Sequence, residues 1–195
     1  MMSKRDDLSP TRAAKRAALT EALGDIVLQD GLDALSLRPA AARLGTSDRM
    51  LLYYFGTKAG LIADTLTNVS ARLASKLATL PTSAQLSPFQ MIGAACSLLA
   101  DPEVRPFMAL WTEIVARAVR GDDVFREVAS RTMTAWIEWI EARTVFPRGI
   151  DPRLAAVAML TVVEGVSAFD MIAEEVVDPS ATLAALQACV AAPET

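Results

Sequence analysis

The chain has 195 residues, enough for one or two domains with a sizeable core. Hydrophobic residues make up 52% and aromatics only 6%, a balance that favours helices packed on helices. A net charge of −4 argues against a uniformly basic nucleic-acid binder, and the absence of histidine removes His-based triads and His metal sites.

Helical periodicity runs along the chain. Leu19, Ala22, Leu23, Ile26 and Val27 recur at i, i+3, i+4, i+7 and i+8, predicting a first helix from Ser9-Pro10 that Gly31 closes. Ser36 is a natural N-cap for a short second helix, with Pro39 in its first turn and Gly45 as its C′ residue. Leu37, Ala40, Ala41 and Leu44 form its buried face. The stretch GTSDRMLLYYFGTK, Gly45 to Lys58, predicts a third helix. Met50, Leu51 and Phe55 are expected inward, and Ser47, Asp48, Arg49, Tyr53 and Tyr54 outward. Two short helices joined at a tight glycine turn make a helix-turn-helix, whose second helix enters a DNA groove.

Thr57 caps a long fourth helix to about Leu80, ended by Pro81. Ser87-Pro88, Asp101-Pro102, Asp151-Pro152 and Asp178-Pro179, like Ser9-Pro10, each place a capping oxygen before a proline at N1. They predict a fifth helix striped by Phe89, Ile92, Cys96 and Leu99, and a sixth from about Pro102 to Val119, bent at Pro106 and stopped at Gly121. A seventh runs from Asp122 to about Val145, closed by Pro147 and Gly149. The eighth spans about 152–174 and the ninth about 179–191. No strand alternation, internal repeat or low-complexity segment is visible.

Charge is divided unevenly. Residues 1–60 carry nine Lys and Arg against seven Asp and Glu, whereas residues 61–195 carry ten against sixteen. An acidic body with a more basic head suits a protein that touches DNA with one end. Enzyme motifs are scarce: there is no GxGxxG or P-loop. Acidic pairs such as Glu138 with Glu141 fit a solvated helix face, and Glu113 with Arg117 fits an ordinary i, i+4 ion pair. No enzyme activity, cofactor or metal is expected. Cys96 and Cys189 both fall in apolar helical stretches and are expected as buried free thiols. The N-terminus lacks the apolar core of a secretory signal, and no apolar run approaches the ~20 residues needed to span a membrane. A cytoplasmic protein without a membrane contact is the expectation.

Residues 10–64 resemble the tetracycline-repressor (TetR) family of bacterial regulators, whose pattern includes "AGVS" followed by "LYxYFxxKexL". The matching residues are Gly31, Ser36, Arg38, Ala41, Gly45, Ser47, Leu51, Tyr54, Phe55, Lys58 and Leu61. Leu52 stands where the family usually has an aromatic, with Tyr53 beside it, and Arg49 and Met50 replace common small residues. The resemblance implies an all-α fold of about nine helices. A helix-turn-helix DNA-binding domain would occupy 1–57, and an effector-binding and dimerisation domain 58–195. It implies DNA contacts from Arg38, Thr46, Ser47, Asp48, Arg49, Met50, Tyr53, Tyr54 and Lys58.

For the C-terminal domain the resemblance implies a small-molecule cavity. Candidate lining residues are Met91, Phe107, Met108, Trp111, Met133, Trp136 and Phe169, with Thr112, Glu113 and Asp170 as polar candidates. For any one of the apolar residues plain core packing is the simpler account. Few charges line the stripe, so the effector is expected to be small and largely apolar. LAAVAMLTVVEGVSAFDMI, in the eighth helix, is apolar on nearly all sides and should be buried; the resemblance implies a homodimer through about 152–191. The expected function is a ligand-responsive transcriptional regulator, a repressor in most of the family, bound as a dimer to a pseudo-palindromic double-stranded DNA operator. The alternative is a constitutive helix-turn-helix protein with no effector.

Overall fold

The computed structural model describes residues 10–78, 85–173 and 178–191. Among them are nine α-helices: α1 (Pro10–Asp30), α2 (Leu37–Arg43), α3 (Asp48–Phe55), α4 (Lys58–Leu77), α5 (Pro88–Leu99), α6 (Arg105–Val119), α7 (Asp123–Arg143), α8 (Pro152–Ile172) and α9 (Pro179–Ala191). A single 3-10 turn, Leu32–Leu35, joins α1 to α2. The only strand-like pairing among the described residues is one isolated bridge between Leu86 and Thr144. The all-α architecture follows the periodicity; Ser9, Leu80 and Pro81, predicted as helix ends, lie outside the described residues.

The proline caps work largely as their spacing predicts. Asp151 accepts from the N–H groups of Arg153 (2.8 Å) and Leu154 (3.2 Å), and Asp178 from those of Ser180 (2.8 Å) and Ala181 (3.1 Å). At Ser87 the backbone N–H donates to Gln90 Oε1 at 3.0 Å. Asp101 differs. It accepts from Glu103 N–H (2.7 Å), but residues 101–104 form a turn and α6 begins only at Arg105. Pro106 therefore sits in the first turn of α6, where its missing N–H costs nothing, so the predicted bend has no cause there.

Two compact units are present. One comprises the chain to Leu73 together with Glu113–Val128, the other Ala74–Thr112 with Ala129 onward. In the first, the buried stripe Leu19, Leu23, Ile26 and Val27 of α1 packs with Ala40 and Ala41 of α2 and with Leu51 and Phe55 of α3. Ion pairs Arg16–Asp64, Arg72–Glu21 and Arg72–Asp25 bind α1 to α4. In the second unit α8 packs on α5 and α9. Its core includes Met91, Ile92, Cys96, Ile137, Ile140, Met159, Leu160 and Val163.

Two burial expectations change. The apolar α8 is only 33% buried, and by length and mean hydropathy (1.7) it alone among the described helices could cross a membrane. One face of it, with Leu154, Val157, Phe169 and Ile172, lies open. Cys189 is exposed on α9, because that helix covers the core with other residues; Cys96 is buried and free as expected. Burial, aided by the negative charge of Asp170, pushes the Cys96 thiol up to about 11.

Candidate DNA-binding site and effector domain

The head is built by local rules. Val27 O accepts from Gly31 N–H and ends α1, and Gly31 takes φ +78°, a conformation open to glycine. Ser36 occupies the N-cap of α2, yet its hydroxyl caps nothing. The reason is Pro39, which stands at N3 and has no N–H to give. Gly45 (φ +60°) makes the tight turn, and Thr46 N–H closes it on Ala41 O at 3.0 Å. Ser47 then caps α3, its Oγ accepting from Met50 N–H at 3.3 Å. Asp48, in the first turn, places negative charge at the positive end of the helix dipole.

On α3, Leu51 and Phe55 are buried, but Met50 is 39% exposed, which corrects its inward assignment. It follows directly before Leu51, about 100° round the helix, and so points away from α1 and α2. The outward face is Arg49, Met50, Leu52 and Tyr53, with Asp48 and Tyr54 half-buried at its flanks. Arg38 projects from α2, Lys58 opens α4, and Thr46 is half-buried in the turn. Among the described residues no carboxylate pairs with Arg38, Arg49 or Lys58, whereas Arg16, Arg43 and Arg72 are each held in an ion pair. Tyr53 packs edge-on against Tyr54 with ring centroids 5.1 Å apart. Arg12, absent from the sequence expectations, lies over the Tyr53 ring at 4.3 Å and donates to Tyr53 O at 2.8 Å. A cation at a helix C-terminus reads in sequence only when it lies on the same helix; this one comes from α1.

The α3–α4 corner is close-packed. Thr57 Oγ1 accepts from Gly60 N–H at 2.9 Å, and a Cβ at Gly60 would lie 2.5 Å from the carbonyl oxygen of Phe55.

Glu113 and Arg117 do not pair with each other. Glu113 accepts from Leu32 N–H at 2.9 Å, and Arg117 pairs with Asp33 at 2.6 Å, so α6 clasps the turn that links α1 to the helix-turn-helix. A Cβ at Gly31 would lie 2.6 Å from Glu113 Oε1.

In the second unit Met91, Phe107, Met108 and Trp111 are buried and Trp136 is half-buried. Met133 and Phe169 are 44% and 62% exposed, on the surface of this single chain. Thr112 bonds back to Met108 O in its own helix, and Asp170 pairs with Arg105 at 3.2 Å. The group overlooked in the sequence is Glu164. Its Oε2 accepts from Trp111 Nε1 at 2.7 Å, and Trp111 meets Trp136 edge-to-face with centroids 4.7 Å apart. Burial raises the Glu164 carboxyl above its ordinary range, and the indole hydrogen bond partly offsets this. The sequence shows Glu164 as an isolated charge in mid-helix, but not what lies opposite it. A groove of about 590 Å³ lies between α5 and α9, lined by Phe89, Cys96, Pro179 and Leu183 among others.

No family model matches the chain, and no curated protein matches it. Solved structures do. A transcriptional regulator from Rhodococcus sp. Rha1 is 22% identical, with 92% of each chain covered and a TM-score of 0.68. The multidrug binding protein EbrR, solved with proflavin, is 20% identical over 89% of this chain and 98% of its own, with a TM-score of 0.69. A TetR-family regulator from Cytophaga hutchinsonii is 17% identical over 87% and 88%, with a TM-score of 0.69. From a capped α2–turn–α3 head to the helices that follow it, this chain is built on the fold of the TetR-family transcriptional regulators.

Proposed function

We propose that the protein is a ligand-responsive transcriptional regulator, a repressor, which binds a pseudo-palindromic operator in the cytoplasm as a homodimer. The observation that carries this reading is the outward row on the helix-turn-helix, where Arg38, Arg49 and Lys58 stand exposed without ion-pair partners among the described residues. Unpaired cations beside a capped recognition helix fit phosphates and guanine edges. Thr46, Ser47, Asp48, Met50, Tyr53 and Tyr54 complete the contact surface. The second copy is expected on the open apolar face of α8 with α9, where Leu154, Val157, Phe169 and Ile172 lie exposed. Two heads about one DNA turn apart, ~34 Å, then reach successive major grooves.

The effector domain is the second unit, with Trp111, Trp136, Phe107, Met108, Met91, Met133 and Phe169 as candidate ligand contacts. The complex of EbrR with proflavin supports small-molecule binding by this fold. An effector that prefers the non-binding state by ~1–3 kcal/mol changes DNA affinity by about 5- to 150-fold.

Selection of sequences from random duplex DNA, followed by anisotropy titration of wild type and Arg38→Ala, tests the reading. A two-half-site consensus is expected, with loss of preference at one base position in the variant. The absence of any selected sequence would sink the regulator assignment; an unchanged preference would remove Arg38 from the site.

A further inference from the structure

The α6–α8 contact contains two carboxylates with opposite fates. α8 carries only three charged residues, Arg153, Glu164 and Asp170. Asp170 is paired with Arg105. Glu164 has no cation partner among the described residues; its one recorded hydrogen bond is from a neutral indole N–H. A half-buried carboxylate without a counter-charge is costly, and such groups cluster where a ligand binds. The neighbours of Glu164 suit that charge. Trp111 and Trp136 present indole rings at 62° to each other, and ring faces attract organic cations. Trp111 is buried, whereas Trp136 is half-buried and Met133, one turn earlier on α7, is 44% exposed, so the pair meets solvent on the Trp136 side.

We propose that Glu164, Trp111 and Trp136 form the recognition site for an organic cation, an ammonium or delocalised cation carried on an apolar body, with Glu164 as its counter-ion. The inference deepens the reading of the second unit as an effector domain and rests on it. It also sharpens the expectation of a largely apolar ligand: the body is apolar, and one positive charge is required. Burial raises the Glu164 carboxyl, and a neighbouring cation would lower it again. The carboxylate that Arg105 meets on α8 is Asp170, six residues further along.

Isothermal titration of the full-length protein decides the matter. The probes are tetraphenylphosphonium and benzyltrimethylammonium as cations, and tetraphenylborate as an anion with the shape of the first. The wild type is expected to bind at least one cation and to exclude the borate. Glu164→Gln keeps an oxygen for the Trp111 N–H and removes only the charge. It should weaken cation binding by about ten- to hundredfold. Trp136→Leu should weaken it by about three- to thirtyfold through the lost ring face. Equal cation affinity in wild type and Glu164→Gln overturns the proposal, as does wild-type protein that takes the borate as well as the phosphonium, or that binds neither cation. Operator binding is measured separately. Cation binding through Glu164 in a protein that binds no DNA would uphold this site and remove the regulator reading alone.

Discussion

Gly31→Ala tests the joint between α1 and the helix-turn-helix. Gly31 has φ +78° and ψ −177°, a region that only glycine enters freely and that costs other residues about 1–3 kcal/mol. The new methyl would also stand 2.6 Å from Glu113 Oε1, so the carboxylate must swing away and release Leu32 N–H. That hydrogen bond is partly exposed, and its loss is worth about 1 kcal/mol. The expected destabilisation is about 2–4 kcal/mol, read as a lower urea midpoint. Glu113→Ala alone should cost about 1 kcal/mol, and the double variant should cost less than the sum, because the same hydrogen bond is lost twice in the arithmetic. A Gly31→Ala loss below about 0.5 kcal/mol would refute the strain argument, and strict additivity would refute the shared contact.

The other expectations are narrower. Lys58→Ala should weaken DNA binding alike for all sequences and make the salt slope shallower by about one per subunit; a loss confined to one base position would show that Lys58 reads sequence instead. Ala168→Glu, on the half-buried flank of the open α8 face, should convert a dimer to a monomer in sedimentation at micromolar concentration, and a wild-type monomer there would remove the interface. Val166 is unsuitable for that test because it is buried in its own subunit. Glu164→Gln should melt higher than wild type at pH 7, by about 2–4 °C. A carboxyl whose folded pKa is raised loses its contribution as pH climbs through that raised value. The gain should therefore fade as pH falls through that raised value and be gone below the ordinary value of 4.5, and a gain that persists at pH 3 would mean that charge is not its source.

The head was legible because its signals are local. Ser47 and Thr57 cap, and Gly31, Gly45 and Gly56 take positive φ, all within a few residues of the helices they bound. Partners far apart in sequence were not legible. Arg12 reaches Tyr53 across 41 positions and Glu113 reaches Leu32 across 81, and neither spacing leaves a periodic trace. Spacing favoured the wrong partner for Glu113, since a residue one turn away is always available to an i, i+4 argument. On α8 the apolar pattern ran round the whole helix, so periodicity gave no face, and only the fold separates buried Met159 and Val163 from open Leu154 and Phe169. The same uniform pattern hid Glu164, whose importance depends on what lies opposite it.

The corner at Gly60 has a consequence for motion. The Phe55 carbonyl rests against the bare Cα of Gly60, backbone on backbone, with no side chain between them that can change rotamer. Such a contact leaves no room for a side chain at position 60. The end of α3 is thereby held against the first turn of α4 by main-chain atoms. If α3 lies in a DNA groove as proposed, a shift of the first turn of α4 passes to it through that backbone contact.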